Sequence, residues 1–202
     1  MAMTFRSLFI VFILLFPSAG RANSVTILIL GDSLSASYGM DELDGWVHKM
    51  NTEQDDFRLI NASVSGETSG GALRRLPGLL NEYQPDWVFI ELGGNDGLRG
   101  FPTPMLKENL GKIIDASILA GSAVMLSEVM VPPNYGPRYA SMFSRVYRDL
   151  SSEYDVPLIP FFMTEIAPKP ELMQRDGIHP NQAAQDGIVD FLRPYFETHT
   201  LP

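Results

Sequence analysis

Three polar side chains, in two short stretches of the sequence, have the types needed for nucleophilic catalysis. Ser33 lies in "GDSLS" directly after an apolar run, and Asp176 and His179 lie in "DGIHP" near the other end of the chain. A serine hydroxyl is a weak nucleophile at neutral pH and needs a base such as imidazole, which a carboxylate holds in the right tautomer. Of the three histidines, His179 alone has a carboxylate three residues before it. The sequence predicts Ser33 as the nucleophile, His179 as its base and Asp176 as the orienting acid.

Each of these residues also has a purely structural explanation. Ser33 could cap a following helix, because a serine oxygen accepts the free N–H groups of a first turn. Asp176 and His179 could form a capping pair or half of a metal site. Pro180 disfavours the α-helical conformation for His179, so "DGIHP" is predicted as a shaped turn in which Gly177 provides freedom. On these residues alone, both explanations stay open.

Two further stretches offer hydrogen-bond donors for an oxyanion. Gly66 lies in the small-residue stretch "NASVSGETSGG", and Asn95 lies in "GGND". The backbone N–H groups of Ser33 and Gly66 and the side-chain amide of Asn95 would supply donors for the charge that develops on an acyl oxygen. Considered singly, Gly66 is interpreted as a turn glycine and Asn95 as a turn residue at the end of a strand.

The elements that must position these residues follow from the apolar pattern. Five short apolar runs alternate with amphipathic segments, which is typical of an α/β domain with a parallel sheet covered on both faces. The sequence predicts one doubly wound domain, residues 23–202. The predicted strands are Val25–Leu30, Phe57–Ala62, Asp86–Leu92, Ala123–Met130 and Val156–Phe162.

The predicted helices lie between these strands, and ligands of such sheets bind at the carboxyl ends of the strands. Every polar stretch named above follows a strand at that edge, or comes shortly after the last one. Pro77 is expected to bend or shorten the helix that contains it, and Asp32 is expected to fix the turn beside Ser33. The first predicted helix begins at "GWVHKM", and the other four cover residues 69–83, 105–120, 141–154 and 183–196.

The first residues differ in composition from the rest. Arg6, the nine apolar residues Leu8–Phe16, Pro17 and small residues up to Ala22 have the layout of a secretory signal peptide cleaved after Ala22. The apolar run is too short to span a bilayer, although an uncleaved anchor is the alternative. A periplasmic or secreted enzyme without a stable membrane anchor is therefore expected.

Charge and cysteine content exclude several classes of function. Without residues 1–22, which contain Arg6 and Arg21 and no acid, the net charge of −9 becomes −11. So acidic a surface argues against nucleic acid or anionic lipid headgroups as partners. The sequence contains no cysteine, which rules out a cysteine nucleophile or a thiolate metal site. No cofactor and no metal are expected.

Four of these stretches resemble, in order, the signature blocks of the SGNH (GDSL) hydrolase superfamily. They are "GDSLS", the glycine of "SGETS", "GGND" and "DGIHPN", and they span Gly31 to Asn181. Further stretches, such as "IELGGNDGLRGF", "PPNYGPRY" and "DVPLIPFFM", are similar to sequences of one branch of this superfamily, the periplasmic multifunctional acyl-CoA thioesterases, arylesterases and lysophospholipases. Glu67 stands where members of that branch often have Asp.

The resemblance implies a fold and an activity. The fold would be a three-layer sandwich around a flavodoxin-like five-stranded parallel sheet. Ser33, Asp176 and His179 would form the triad, with Ser33, Gly66 and Asn95 as the oxyanion hole. The substrate would be a small acyl ester or thioester, hydrolysed by a monomer through an acyl-enzyme. A carbohydrate O-deacetylase, an acyltransferase or a non-catalytic binding module are the alternatives.

The residues that would contact an acyl chain are less clearly marked. The stretch "GLRGFPTP", residues 97–104, follows Asn95 and is interpreted either as a loop that flanks an acyl groove or as an ordinary connection. The candidates for lining the groove share apolar or aromatic side chains in the loops near the site; they are Leu98, Phe101, Met130, Tyr135 and Ile178.

Overall fold

The computed structural model describes residues 24–201, and the predicted signal peptide lies outside this range. The sheet consists of β1 (Val25–Gly31), β2 (Phe57–Asn61), β3 (Trp87–Glu91), β4 (Ala123–Ser127) and β5 (Leu158–Ile159). All neighbouring strands pair in parallel, in the order β2-β1-β3-β4-β5. This order is the flavodoxin-like one, and it confirms the predicted parallel α/β sheet.

Helices cover both faces of the sheet and complete three layers. They are α1 (Trp46–Glu53), α2 (Ser69–Tyr83), α3 (Gly94–Leu98), α4 (Thr103–Leu119), α5 (Pro137–Tyr154) and α6 (Gln185–Thr200). On one face α4 packs between α2 and α5, and on the other α1 packs against α6.

The central strand β1 shows how the sequence builds two cores at once. Its apolar run has no polar alternation because both faces of a covered parallel sheet are buried. Leu28 and Leu30 point into the core beneath α2, α4 and α5, while Ile27 and Ile29 point into the core beneath α1 and α6. All four side chains are fully buried, so β1 and the residues that follow it are held from both sides.

Several helix boundaries differ from the prediction. The helix α2 keeps its predicted bounds, residues 69–83, so Pro77 does not shorten it; Leu76 and Leu80, on either side of the proline, are buried in the core. The helices α4 and α5 begin earlier than expected because Pro104 and Pro137 lie in their first turns, where a missing N–H carries no penalty. The helix α6 begins later, at Gln185.

No helix in residues 24–201 is long and apolar enough to cross a membrane.

Candidate active site

Ser33 follows the buried end of β1 and lies at the start of a series of turns. The predicted helix after Ser33 does not form, since residues 33–39 are turns and Ser37 has a left-handed φ of 55°. The first turn is closed by the backbone N–H of Ala36, which donates to the carbonyl of Asp32 over 3.0 Å. The Asp32 carboxylate accepts the N–H of Leu34 over 3.1 Å, which confirms its expected role in fixing this turn.

The segment after β5 brings an imidazole to the Ser33 hydroxyl. His179 Nε2 lies 2.8 Å from Ser33 Oγ, and His179 Nδ1 lies 2.7 Å from Asp176 Oδ2. Gly177, with a φ of +68°, turns the chain so that the Asp176 carboxylate faces back to the ring. The three side chains predicted from two distant stretches thus form one continuous hydrogen-bonded chain.

The carboxyl group of Asp176 is held in its charged form. Partial desolvation raises its pKa. Hydrogen bonds from the His179 ring and from the backbone N–H groups of Ile178 and His179 outweigh this effect and lower the pKa to about 2. An ionised carboxylate at Nδ1 keeps the proton of a neutral imidazole on that nitrogen. His179 Nε2 is then free to accept the proton of Ser33.

Two residues that the sequence did not indicate hold the imidazole from outside the triad. The ring of Tyr38 lies over that of His179, with centroids 4.2 Å apart and planes inclined by 35°. Gln174 Nε2 donates to the Tyr38 carbonyl over 2.6 Å, and the Gln174 N–H donates to the His179 carbonyl over 2.8 Å. Gln174 therefore joins the loop that contains Ser33 to the loop that contains His179.

Asn95 lies in the first turn of α3, directly after the strand next to β1. Its Nδ2 donates to Asp32 Oδ2 over 3.1 Å, which places the amide beside the residue that precedes Ser33. No helix was predicted over the short helix that carries Asn95, because five residues are too few for an apolar period to show. Gly93, the residue before this helix, has a φ of +117°, a conformation that favours glycine.

Gly66 reaches the same edge of the sheet from the loop after β2. The N–H of Val64 in this loop donates to the carbonyl of Gly31 over 3.1 Å, alongside the end of β1. Gly66 has a φ of +79°, and its carbonyl accepts a hydrogen bond from Arg99 over 3.1 Å. Glu67, the departure from the family pattern, pairs with Arg75 over 2.7 Å.

The predicted groove residues lie in the segments that follow β3, β4 and β5, and hydrogen bonds tether some of them. The Tyr135 hydroxyl donates to the Leu98 carbonyl over 2.7 Å, and the Tyr139 hydroxyl donates to the Phe101 carbonyl over 3.0 Å. The predicted loop of residues 97–104 is shorter than expected, because α3 ends at Leu98 and α4 begins at Thr103. Four exposed apolar side chains belong to the loops after the strands: Tyr38, Val64, Met130 and Ile178.

Within residues 24–201, no three His, Asp or Glu side chains converge as a metal site would require.

A serine hydroxyl, an imidazole and a carboxylate in sequence, at the carboxyl edge of a doubly wound sheet, define a serine hydrolase. The comparisons with known proteins give the same class. The profile of the GDSL-like Lipase/Acylhydrolase family matches residues 29–186. The chain belongs to this family and is a serine ester hydrolase.

Similar proteins extend over most of the chain. "Thioesterase 1/protease 1/lysophospholipase L1" of Escherichia coli is 46% identical over 91% of this chain and 88% of its own length. "Arylesterase" of Vibrio mimicus is 42% identical over 90% of this chain and 93% of its own length. The psychrotrophic esterase EstA from Pseudoalteromonas sp., in a crystal structure inhibited by monoethylphosphonate, is 49% identical with a TM-score of 0.83, covering 86% of this chain and 97% of that chain.

Proposed function

We propose that this chain hydrolyses carboxylic esters and thioesters of acyl chains through a serine-bound acyl intermediate. The observation that carries the proposal is the hydrogen-bonded chain Ser33 Oγ–His179 Nε2 (2.8 Å) and His179 Nδ1–Asp176 Oδ2 (2.7 Å). Relatives named as a thioesterase and lysophospholipase and as an arylesterase support acyl esters and thioesters as the substrate class.

The residues act in two half-reactions. Ser33 Oγ attacks the acyl carbonyl while its proton passes to His179 Nε2, and the backbone N–H groups of Ser33 and Gly66 and the Asn95 amide stabilise the oxyanion. The bond to the leaving group breaks, and the imidazolium returns the proton to the thiolate or alkoxide. Water, deprotonated by the same imidazole, then attacks the acyl carbonyl. The bond to Ser33 Oγ breaks, the imidazolium returns the proton to Oγ, and the acid leaves.

The experiment that tests the nucleophile combines labelling with turnover. A fluorophosphonate probe should label the wild-type protein stoichiometrically at Ser33, and Ser33→Ala should not react and should lose about 10⁶ in kcat on a short p-nitrophenyl ester. Ser141→Ala, at an exposed position on α5, is the matched control and should label as the wild type does. Wild-type turnover in Ser33→Ala, or no labelling of the wild type, would refute the proposal and favour a binding module.

A matched pair of histidine variants tests the base. His179→Asn should abolish labelling and turnover, because the Ser33 hydroxyl loses its proton acceptor. His48→Asn, on α1, changes the same side chain outside the triad and should retain both. Equal losses in the two variants would show a fold defect and not a catalytic one.

The substrate class is tested by a series of acyl groups and leaving groups. We expect turnover of p-nitrophenyl esters and acyl-CoA thioesters, with kcat/KM rising as the acyl chain lengthens along the apolar loop side chains. Preference for an acetylated sugar over every acyl ester would favour the O-deacetylase. Ester formation exceeding hydrolysis in the presence of a second alcohol would favour the acyltransferase.

We propose further that residues 1–22 are removed on export, that the enzyme works in the periplasm or outside the cell, and that it is a monomer. The support is the sequence layout of these residues. N-terminal sequencing of the exported protein should start at Asn23, and gel filtration should give a monomer. A retained residue 1, or an eluted mass of a dimer, would contradict the corresponding statement.

A further inference from the structure

Two carboxyl groups are buried next to the turn that holds Ser33. Glu91, the last residue of β3, is fully buried, and Asp32, directly before Ser33, is 2% exposed. Glu91 Oε2 accepts hydrogen bonds from Ser35 Oγ over 2.9 Å and from the Asp32 N–H over 3.3 Å. The two acids are therefore parts of one hydrogen-bonded unit that ties the end of β3 to the turn holding Ser33.

The hydrogen bonds around the pair favour a single negative charge, on Asp32. Glu91 Oε1 is buried and has no hydrogen-bond partner among residues 24–201. An ionised carboxylate with such an oxygen would carry a large desolvation penalty, which a protonated carboxyl avoids. Asp32, in contrast, accepts bonds on both oxygens, from the Leu34 N–H and from Asn95 Nδ2.

The acidities of the two groups agree with this arrangement. Burial raises the pKa of Glu91 well above its usual value, and the Asp32 charge raises it further. Burial also raises the pKa of Asp32, to about 6, against the lowering effect of its donors and of His179. The other titratable groups near the pair are Asp96 on α3, which is bonded to Ser69, and Tyr147 on α5.

The backbone is shaped to let these carboxyl groups approach. A Cβ at Gly31 would lie 2.9 Å from Glu91 Oε2, and one at Gly94 would lie 3.0 Å from Asp32 Oδ2. Asp32 Oδ2 takes up one N–H of the Asn95 amide, at 3.1 Å. A primary amide has two N–H groups, so the other one remains for an acyl oxygen.

We propose that Glu91 is a neutral acid at neutral pH, that Asp32 carries the single charge of the pair, and that Asp32 is a positioning residue that aims the free N–H of Asn95 at the acyl oxygen. This inference rests on the proposed function, in which Asn95 belongs to the oxyanion hole. Asp32 acts through Asn95 and does not touch the substrate.

A double-mutant cycle tests the action of Asp32 through Asn95. Asp32→Asn keeps the size and one acceptor oxygen but removes the charge; it should lower kcat on a short p-nitrophenyl ester about 10- to 100-fold with KM within about twofold. In the Asn95→Ala background the same change should lower kcat less than about twofold, because residues that act as one unit are not additive. Fully additive losses would overturn the positioning role. Continued labelling of Ser33 by the fluorophosphonate would then leave the proposed nucleophile intact.

Infrared spectroscopy tests the protonation of Glu91 without depending on the Asp32 variant. The wild-type protein at pH 7.5 should show the C=O band of a protonated carboxyl group, and Glu91→Gln should remove it. Glu67→Gln is the matched control, since Glu67 is ion-paired with Arg75 and should not contribute to that band. Absence of the band in the wild type, or its persistence in Glu91→Gln, would overturn the proposal that Glu91 is protonated.

Discussion

At the scale of single residues, Asn95 is the proposed link between the buried acids and the reacting carbonyl. Its amide is partly buried, is held by Asp32, and is carried by the first turn of a short helix. Removing one oxyanion donor from a serine hydrolase lowers kcat by 10²–10³. Asn95→Ala should therefore lose on the order of 10²–10³ in kcat, measured with a short p-nitrophenyl ester, while the protein melts near the wild-type temperature. A change smaller than threefold would remove Asn95 from the oxyanion hole.

Tyr38 acts on the imidazole through its ring face. The ring centroids of Tyr38 and His179 are 4.2 Å apart, close enough for the π-system to attract the imidazolium that forms during catalysis. Such an attraction contributes about 0.5–1 kcal/mol at an exposed site. Tyr38→Leu should lower kcat about two- to fivefold, and Tyr38→Phe, which keeps the ring, should lose less. Equal losses in both variants would assign the effect to the hydroxyl.

At the scale of secondary structure, α3 has to start within contact of the Asp32 carboxylate. Gly94 meets this need, because a Cβ there would lie 3.0 Å from Asp32 Oδ2. Gly94→Ala should displace the Asp32 carboxylate from the Asn95 amide. It should lower kcat on the order of tenfold, since small misplacements are costly in catalysis. Gly78→Ala in α2 has open space around the new methyl group and should gain up to about 1 kcal/mol in stability with unchanged kcat. A Gly94→Ala enzyme as active as Gly78→Ala would contradict this placement.

The sequence predicted the residues whose side-chain types can perform catalysis and missed the residues that only hold those side chains in place. Asp176 and His179 are three residues apart and are joined by one glycine turn, so their pairing could be read directly. Tyr38 and Gln174 are distant in the chain and meet only because the β1 and β5 ends share one edge of the sheet. Glu91 did carry a signal, as the single charged residue that ends an apolar strand; it was interpreted only as part of that strand.

The short elements were beyond prediction for a different physical reason. The helix after Ser33 was expected from capping preference alone, but the chain turns sharply at Ser37 and packs Ser35 onto Glu91 instead. The strand β5 was expected to cover seven residues and has two, because only Leu158 and Ile159 pair with β4. Apolar content predicts burial, whereas strand pairing also requires a neighbour in register.

At the scale of the whole molecule, the buried acids link stability to pH. A buried carboxyl whose pKa is raised on folding binds its proton more tightly in the folded state than in the unfolded chain. The unfolded state therefore binds fewer protons above the ordinary pKa of 4.5 for Glu, and stability falls as the pH rises from there. The pair that positions Asn95 thus destabilises the fold at neutral pH, as is typical of functional sites.

Glu91→Gln should remove this dependence, because glutamine is neutral in both states. We expect its free energy of unfolding at pH 7.5 to exceed that of the wild type by up to about 4 kcal/mol, because keeping Glu91 protonated in the fold costs about 1.4 kcal/mol for each pH unit above its unfolded pKa of 4.5. The difference should shrink as the pH falls toward 4.5 and vanish below it, where Glu91 is protonated in the unfolded chain too. Urea unfolding at several pH values measures this. Glu67→Gln, which breaks the ion pair with Arg75, should show no gain at pH 7.5. A pH-independent difference for Glu91→Gln would mean that its effect comes from packing, and that Glu91 is ionised to the same extent in the folded and unfolded states.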